Sequence, residues 1–352
     1  MKKASFDFLK GLLEQPSPSG FEQPVQKVWR RQMKRYADEV YTDVHGNAIA
    51  VLNPSGKPRV MLAGHCDEVG FMVNFINDEG FIYFAAIGGV DAGLVSARRV
   101  KIFTEKGVIN GVVGRKAIHM MDQEERKKVP EMHKLWIDIG VKDKKEAEKL
   151  VSIGDPIIFN VGFEMLRNDL AVSRGFDDRI GSFAVAETLR LLAGKKPKAS
   201  VYAVSTVQEE LGMRGARTSA FGIDPDVGIA VDVGNASDFP GADKQKAGEM
   251  KLGMGPVIVK GANINPVVGK GLLAAARKSK IPFQTLGAPR ATGTDANAMQ
   301  LNRAGVAAGL VSVPNRYMHT PVEMISLNDL DNTSKLIATY IMGLTPKTDF
   351  TP

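Results

Sequence analysis

The sequence predicts an α/β fold: a mostly parallel-stranded sheet flanked by helices, into which a small β-barrel is inserted. Three observations predict it. After about Phe163, strand-like and helix-like runs alternate, the pattern of a parallel sheet covered on both faces. Between Glu68 and Phe163 that alternation gives way to short β-rich runs separated by Gly, Asn and Asp turns. The length of 352 residues, 44% hydrophobic and 24% charged, is enough for two packed domains and excludes a disordered or fibrous chain. The expected division is a discontinuous domain, residues 1–67 and 164–352, and an insert, residues 68–163.

The elements follow in order. Ser5 is placed as the cap of a helix with Phe6, Phe8, Leu9, Leu12 and Leu13 at helical spacing, ended by Pro16-Ser17-Pro18-Ser19-Gly20. A second helix covers about 23–36, a hairpin 39–53 turns at His45-Gly46-Asn47, and 59–64 is a short buried strand. In the insert, strands fall at 70–76, 81–87, 99–103, 107–113 and 155–161. The lysine-rich stretch 115–150 reads as a solvated face. Beyond it come strand 170–173, helix 178–193, strand 199–207, helix 213–221, strands 227–231 and 256–259, helix 266–279, strand 283–286, helix 295–302, strand 306–313 and a last helix from Leu327.

Charge and composition remove several functions. The net charge is +7, from 46 Lys and Arg against 39 Asp and Glu, and residues 98–150 hold 14 of the former and 9 of the latter. The surplus therefore gathers in the insert. No zinc-finger spacing, basic helix or aromatic-basic motif accompanies it, so no nucleic-acid partner is expected. The longest apolar run, 304–313, is about half of the roughly 20 residues a membrane span needs, so no membrane partner is expected either. Asp7 and Lys10 interrupt any signal-peptide core after Lys2 and Lys3. With Cys66 alone there is no internal disulfide, and the expected location is cytoplasmic.

Ligands of open α/β sheets bind beyond the carboxyl ends of the strands. Strand 59–64 runs into His65-Cys66-Asp67, strand 199–207 into Gln208-Glu209-Glu210, and strand 227–231 into Asp232; strand 306–313 is followed by a short loop and His319-Thr320-Pro321. Asp177-Asp178 stands at a helix start, where Asp178 can be a cap. Singly, His65 reads as a structural histidine, Glu209-Glu210 as a solvated helix start and Asp232 as a loop anchor. Together, two histidines and at least three carboxylates on one edge need a compensating cation. Imidazole and oxygen donors without thiolate suit Zn, Co or Mn.

Six segments carry a resemblance: Ala63-Gly64-His65-Cys66-Asp67-Glu68-Val69-Gly70, Phe176-Asp177-Asp178-Arg179, the run from Val207 to Ala216, Asp232-Val233-Gly234, Gly293-Thr294-Asp295-Ala296, and the run from Ser312 to Glu323. In this order they resemble the dinuclear metallo-aminopeptidases of the glutamyl aminopeptidase and tetrahedral, or deblocking, aminopeptidase type. The resemblance implies two divalent ions per subunit, most simply Zn, with Co or Mn as alternatives. Asp178 would bridge them, His65 and Asp232 completing one ion and Glu210 and His319 the other. Glu209 would be the general base, and Asp67 would orient His65. Peptides with a free N-terminus would be the substrates. The chain would form homo-oligomers, either dimers or hollow tetrahedral dodecamers. His45, His119 and His133 receive no role. An endoglucanase-type glycoside hydrolase is the competing enzyme; it needs two carboxyl groups about 5–9.5 Å apart and no metal. A non-catalytic assembly scaffold is the other alternative, and it would have no use for Glu209.

Overall fold

The computed structural model describes residues 1–352. Its strands are β1 (Glu39–Thr42), β2 (Ala48–Leu52), β3 (Arg59–His65), β4 (Gly70–Ile76), β5 (Ile82–Ile87), β6 (Arg99–Thr104), β7 (Gly107–Gly114), β8 (Trp136–Asp138), β9 (Pro156–Phe159), β10 (Glu164–Met165), β11 (Leu170–Ser173), β12 (Ser200–Thr206), β13 (Val227–Asn235), β14 (Val257–Gly261), β15 (Gln284–Ala288), β16 (Ala307–Asn315) and β17 (Glu323–Ser326).

Eight of them form one mixed sheet in the order β1-β2-β12-β3-β13-β16-β14-β15. The central four, β12, β3, β13 and β16, are mutually parallel, so their carboxyl ends share one edge. Alternate residues of β3 serve opposite faces, as the strand period of two requires. Val60 and Leu62 join a core with Trp29, Phe176, Phe183 and Ile337, beneath helices Lys3–Leu13, Gln23–Met33, Phe176–Leu192 and Leu327–Met342. Met61 and Ala63 join a second core with Ala220 and Met299, under helices Arg214–Ile223 and Asp295–Gln300. Burial on both faces explains why these strands read as continuous apolar runs.

The sheet departs from the expected parallel pattern at both sides. β2 is antiparallel to β12, and β14 is antiparallel to β16. The reversal at β14 has a simple cause. After β13 the chain stays at the carboxyl edge through residues 236–256, where its one helix, Lys244–Ala247, is too short to cross the sheet, so β14 starts at that edge and runs back. Helix Pro266–Lys278 then makes a crossover, and β15 lies parallel to β14.

Two local expectations also change. β11 pairs with β10 and β17 in a separate three-stranded antiparallel sheet, because it buries only alternate residues, Ala171 and Ser173, and cannot serve as a strand covered on both faces. Ser5 lies within the first helix, whose cap position is Lys2; its hydroxyl donates to both Glu187 carboxylate oxygens at 3.1 Å.

The insert is a closed antiparallel barrel in the order β4-β5-β8-β7-β6-β9. Its core is its own, built from residues such as Phe71, Phe84, Ile102, Ile137 and Phe159. Closure leaves the barrel no free sheet edge. The chain enters it directly from β3 and returns through β10, which places its rim beside the strand ends that carry the acids.

Candidate metal centre

Helix Phe176–Leu192 packs over β3 and β13 and begins at the edge where those strands end. Its close approach depends on two glycines. A Cβ on Gly64 would strike the backbone of Gly181, and one on Gly181 would strike Val231 O and the Asp178 carboxylate. Gly175 precedes this helix in left-handed conformation, and Asp177 and Asp178 have non-helical dihedrals. These two side chains therefore leave the chain in directions that a regular first turn would not give.

Asp177 occupies the middle of the cluster. Its Oδ1 lies 3.2 Å from His65 Nε2 and its Oδ2 lies 3.2 Å from His319 Nε2. His65 Nε2 is also 3.8 Å from Glu209 Oε2 and 4.0 Å from Asp232 Oδ1. His319 Nε2 is 3.2 Å from Glu210 Oε1. Two groups have donor atoms within 4.8 Å of one another: His65, Asp177 and Glu210, and His65, Asp178 and Asp232.

Asp177 is the aspartate within 3.2 Å of both histidines, whereas Asp178, given the bridging role in the sequence reading, shares a donor group with His65 and Asp232 only. Asp178 Oδ2 accepts from the His65 backbone N–H at 3.2 Å and its Oδ1 from the Gly181 N–H at 3.0 Å, so it braces the β3–helix junction. The physical reason is the irregular start of the helix, which turns Asp177 toward the histidines and Asp178 toward the backbone.

A second layer holds these groups. His65 Nδ1 donates to Asp67 O at 3.0 Å, and His319 Nδ1 donates to Gly89 O, on the loop after β5 of the barrel, at 2.9 Å. A carbonyl can only accept, so both rings carry the proton on Nδ1 and direct Nε2 at Asp177. The Asp67 carboxylate accepts from Ser19 Oγ at 2.6 Å and from the backbone N–H groups of Glu209 and Glu210 at 3.0 and 3.2 Å. Glu323 spans the other side, accepting from Asp177 N at 3.0 Å and His319 N at 2.9 Å. Below them, Glu68 is buried between Arg174 and Arg179 at 2.5 and 2.7 Å, and Arg179 reaches the Gln15 carbonyl at 2.6 Å, which fixes the N-terminal segment under the site.

Ser19, Gly89, Asp177 and Glu323 carry no role in the sequence reading. Asp177 and Glu323 lie inside two of the segments quoted there, so their proximity to named residues was the available signal. Ser19 and Gly89 act across the fold, and no local pattern marks them.

The electrostatics of the cluster match a site built for cations. Burial pushes the Glu209 carboxyl up to about 10; His65 opposes the shift, while Asp232, Asp295 and Glu210 reinforce it. Burial likewise raises Asp232 and Asp178 well above the ordinary carboxylate range. Burial opposes ionisation of Asp177 too, yet hydrogen bonds from His319 and His65 bring it down to about 2. The pairing with Asp177 and Glu210 lifts His319 to about 11 against burial. Packed anions thus hold protons in the metal-free chain, and imidazole and carboxylate donors at these separations fit divalent ions that would displace those protons. Metal loading is therefore expected to release protons, and apparent affinity to rise with pH. Calorimetric titrations with Zn, Co or Mn in two buffers of different ionisation enthalpy measure this; identical heats would contradict it.

The cluster opens into a cavity of about 510 Å³. A larger groove, about 970 Å³, lies at the opposite, amino-terminal edge of the parallel strands, against residues 346–352, and none of the clustered groups lines it.

Comparison with known proteins identifies the family. The family model described as M42 glutamyl aminopeptidase matches residues 46–336. A lysyl aminopeptidase of Pyrococcus furiosus is 40% identical over 350 residues, covering 99% of each chain. The crystal structure of a TET aminopeptidase from a marine sediment thaumarchaeote superposes with a TM-score of 0.93 at 36% identity, covering 97% of each chain. The TET1 peptidase of Pyrococcus horikoshii, which can assemble into a tetrahedron or a large octahedral shell, gives 0.87 at 32% identity over 97% of this chain and 100% of its own. The chain accordingly belongs to the M42 glutamyl aminopeptidase family, and its activity is that of an aminopeptidase, a hydrolase of the metallopeptidase class.

Proposed function

We propose that this aminopeptidase works with two divalent ions, toward both of which Asp177 would contribute a carboxylate oxygen. The observation that carries the reading is the pair of 3.2 Å separations from the two Asp177 oxygens to Nε2 of two different histidines. His65 and Asp232 would complete one ion, and Glu210 and His319 the other. Two such ions, most simply Zn, with Co or Mn as alternatives, would neutralise the crowded carboxylates, acidify a water and polarise a scissile carbonyl.

Glu209, with its Oε2 3.8 Å from His65 Nε2, is the general base in this reading. Its carboxylate takes one proton from the attacking water as the water oxygen bonds to the carbonyl carbon. It then delivers that proton to the amine as the C–N bond breaks. Asp67 keeps the His65 ring and the Glu209-Glu210 backbone in place. The acidic wall pairs with a free amino terminus, which limits cleavage to the first residue.

A glycosidase reading finds no support in this geometry, because the carboxylates converge on histidine nitrogens. For assembly we read the insert as the surface of self-association, in a dimer or a tetrahedral dodecamer. Exposed Phe75, Val108, Val112, Ile118 and Met120 support this. No helix is long and apolar enough to cross a membrane, and the free, buried Cys66 suits work in a reducing cytoplasm. Removing metal with a chelator is expected to abolish hydrolysis of aminoacyl anilides, and Zn, Co or Mn to restore it. Peptide cleavage that survives complete metal removal would overturn the mechanism.

A further inference from the structure

We propose that this enzyme prefers a large, uncharged apolar residue at the substrate N-terminus, and that Arg290 turns away lysine and arginine there. The inference rests on the aminopeptidase reading of the same site.

The side chain of the first residue must sit beside the acids that hold its amino group, and two cavities touch that cluster. One, bordered by Val69, Phe159 and Thr320, holds about 10 Å³, room for a single water. The other is the cavity of about 510 Å³, ample for any amino-acid side chain. The size difference decides which one receives it.

The walls of the larger cavity decide what it accepts. Away from the cluster their apolar side chains include Val259, Leu286 and Leu310 on β14, β15 and β16, with Met250 and Met318 in the segments before β14 and after β16; the polar side chains beside them, Asn235, Thr292, Thr294 and Ser312, are uncharged. Every carboxylate lining the cavity, Asp177, Glu209, Glu210 and Asp232, already belongs to the cluster. Outside the cluster the one ionisable side chain on the wall is Arg290, in the exposed loop after β15; it forms no ion pair in the structure.

A lysine ammonium reaching away from the cluster into this recess would lose water, find no acid beyond those the cluster already uses and meet a guanidinium. A glutamate could pair with Arg290, but at an exposed mouth such a pair contributes little and leaves the apolar walls unfilled. Leucine or methionine packs on those apolar side chains without burying a charge. Similarity to a lysyl aminopeptidase, and the glutamyl name of the family, thus do not fix the preference of this chain.

The test is kcat/KM of the metal-loaded full chain on leucyl, methionyl, glutamyl and lysyl p-nitroanilides. Leucyl and methionyl substrates are expected to exceed the lysyl and glutamyl ones at least tenfold. A lysyl or glutamyl value equal to or above the leucyl one would overturn the proposal. Arg290→Glu is expected to raise the lysyl-to-leucyl ratio at least tenfold, and an unchanged ratio would remove Arg290 from selection. Turnover of none of the four would strike the aminopeptidase reading instead. Calorimetric binding of Leu-Gly-Gly against Lys-Gly-Gly to the metal-loaded Glu209→Gln variant then decides the preference without catalysis: tighter Leu-Gly-Gly supports it, and tighter Lys-Gly-Gly defeats it.

Discussion

Glu209→Gln is expected to retain two metal ions per subunit while kcat falls by about 10²–10⁴-fold, the range that a positioned general base contributes. The amide is nearly isosteric with the carboxylate and sits at the same turn, held by Asp67 through the backbone N–H groups of residues 209 and 210. It cannot take a proton from water at any accessible pH. KM should move little, because Glu209 is assigned to proton transfer and not to substrate binding. The measurements are metal content by elemental analysis and steady-state kinetics on a leucyl anilide. A variant within about threefold of the wild-type rate would remove Glu209 from the base role. A variant that loses metal along with activity would make Glu209 a ligand.

The second large effect separates two adjacent aspartates. Asp177→Asn is expected to keep the fold and lose metal, since an amide replaces the oxygen pair that faces His65 and His319. Asp178→Asn is expected to do the reverse. Its carboxylate accepts two backbone N–H groups in a fully buried position, and an amide nitrogen turned toward either one leaves that donor unsatisfied. The cost is about 1–3 kcal/mol of stability. Metal stoichiometry and thermal melting of both metal-free variants report the two losses separately. If Asp178→Asn sheds metal without loss of stability while Asp177→Asn keeps it, the two roles must be exchanged.

The same pair shows where the sequence stops being informative. His65, Asp67, Glu209, Glu210 and Asp232 could be grouped from the sequence because each follows an apolar run that becomes one of the central parallel strands. Parallel strands end together, so an edge location is implicit in the alternation of strands and helices. Choosing between Asp177 and Asp178 needs the dihedrals of an irregular helix start, which depend on the close passage of Gly181 against β3. The orientation of β14 and β15 was hidden for a related reason. An apolar strand has no direction in its composition, and only the edge-bound path of residues 236–256 sets it. Ser19, Gly89 and Glu323 act through single long-range hydrogen bonds, which leave no periodic trace.

The bond from His319 to Gly89 has an engineering consequence. The barrel has its own core and could pass for a cassette to be excised or exchanged by joining β3 to β10. Such a deletion would remove the carbonyl that sets the tautomer of His319, and a graft would replace it with whatever loop the donor carries. A Cβ at residue 89 would already stand 3.3 Å from the His319 ring. Chimeras that trade inserts between relatives must therefore carry the recipient's Gly88-Gly89 segment across the junction, because the boundary between scaffold and accessory passes through the hydrogen bonds that orient the clustered histidine.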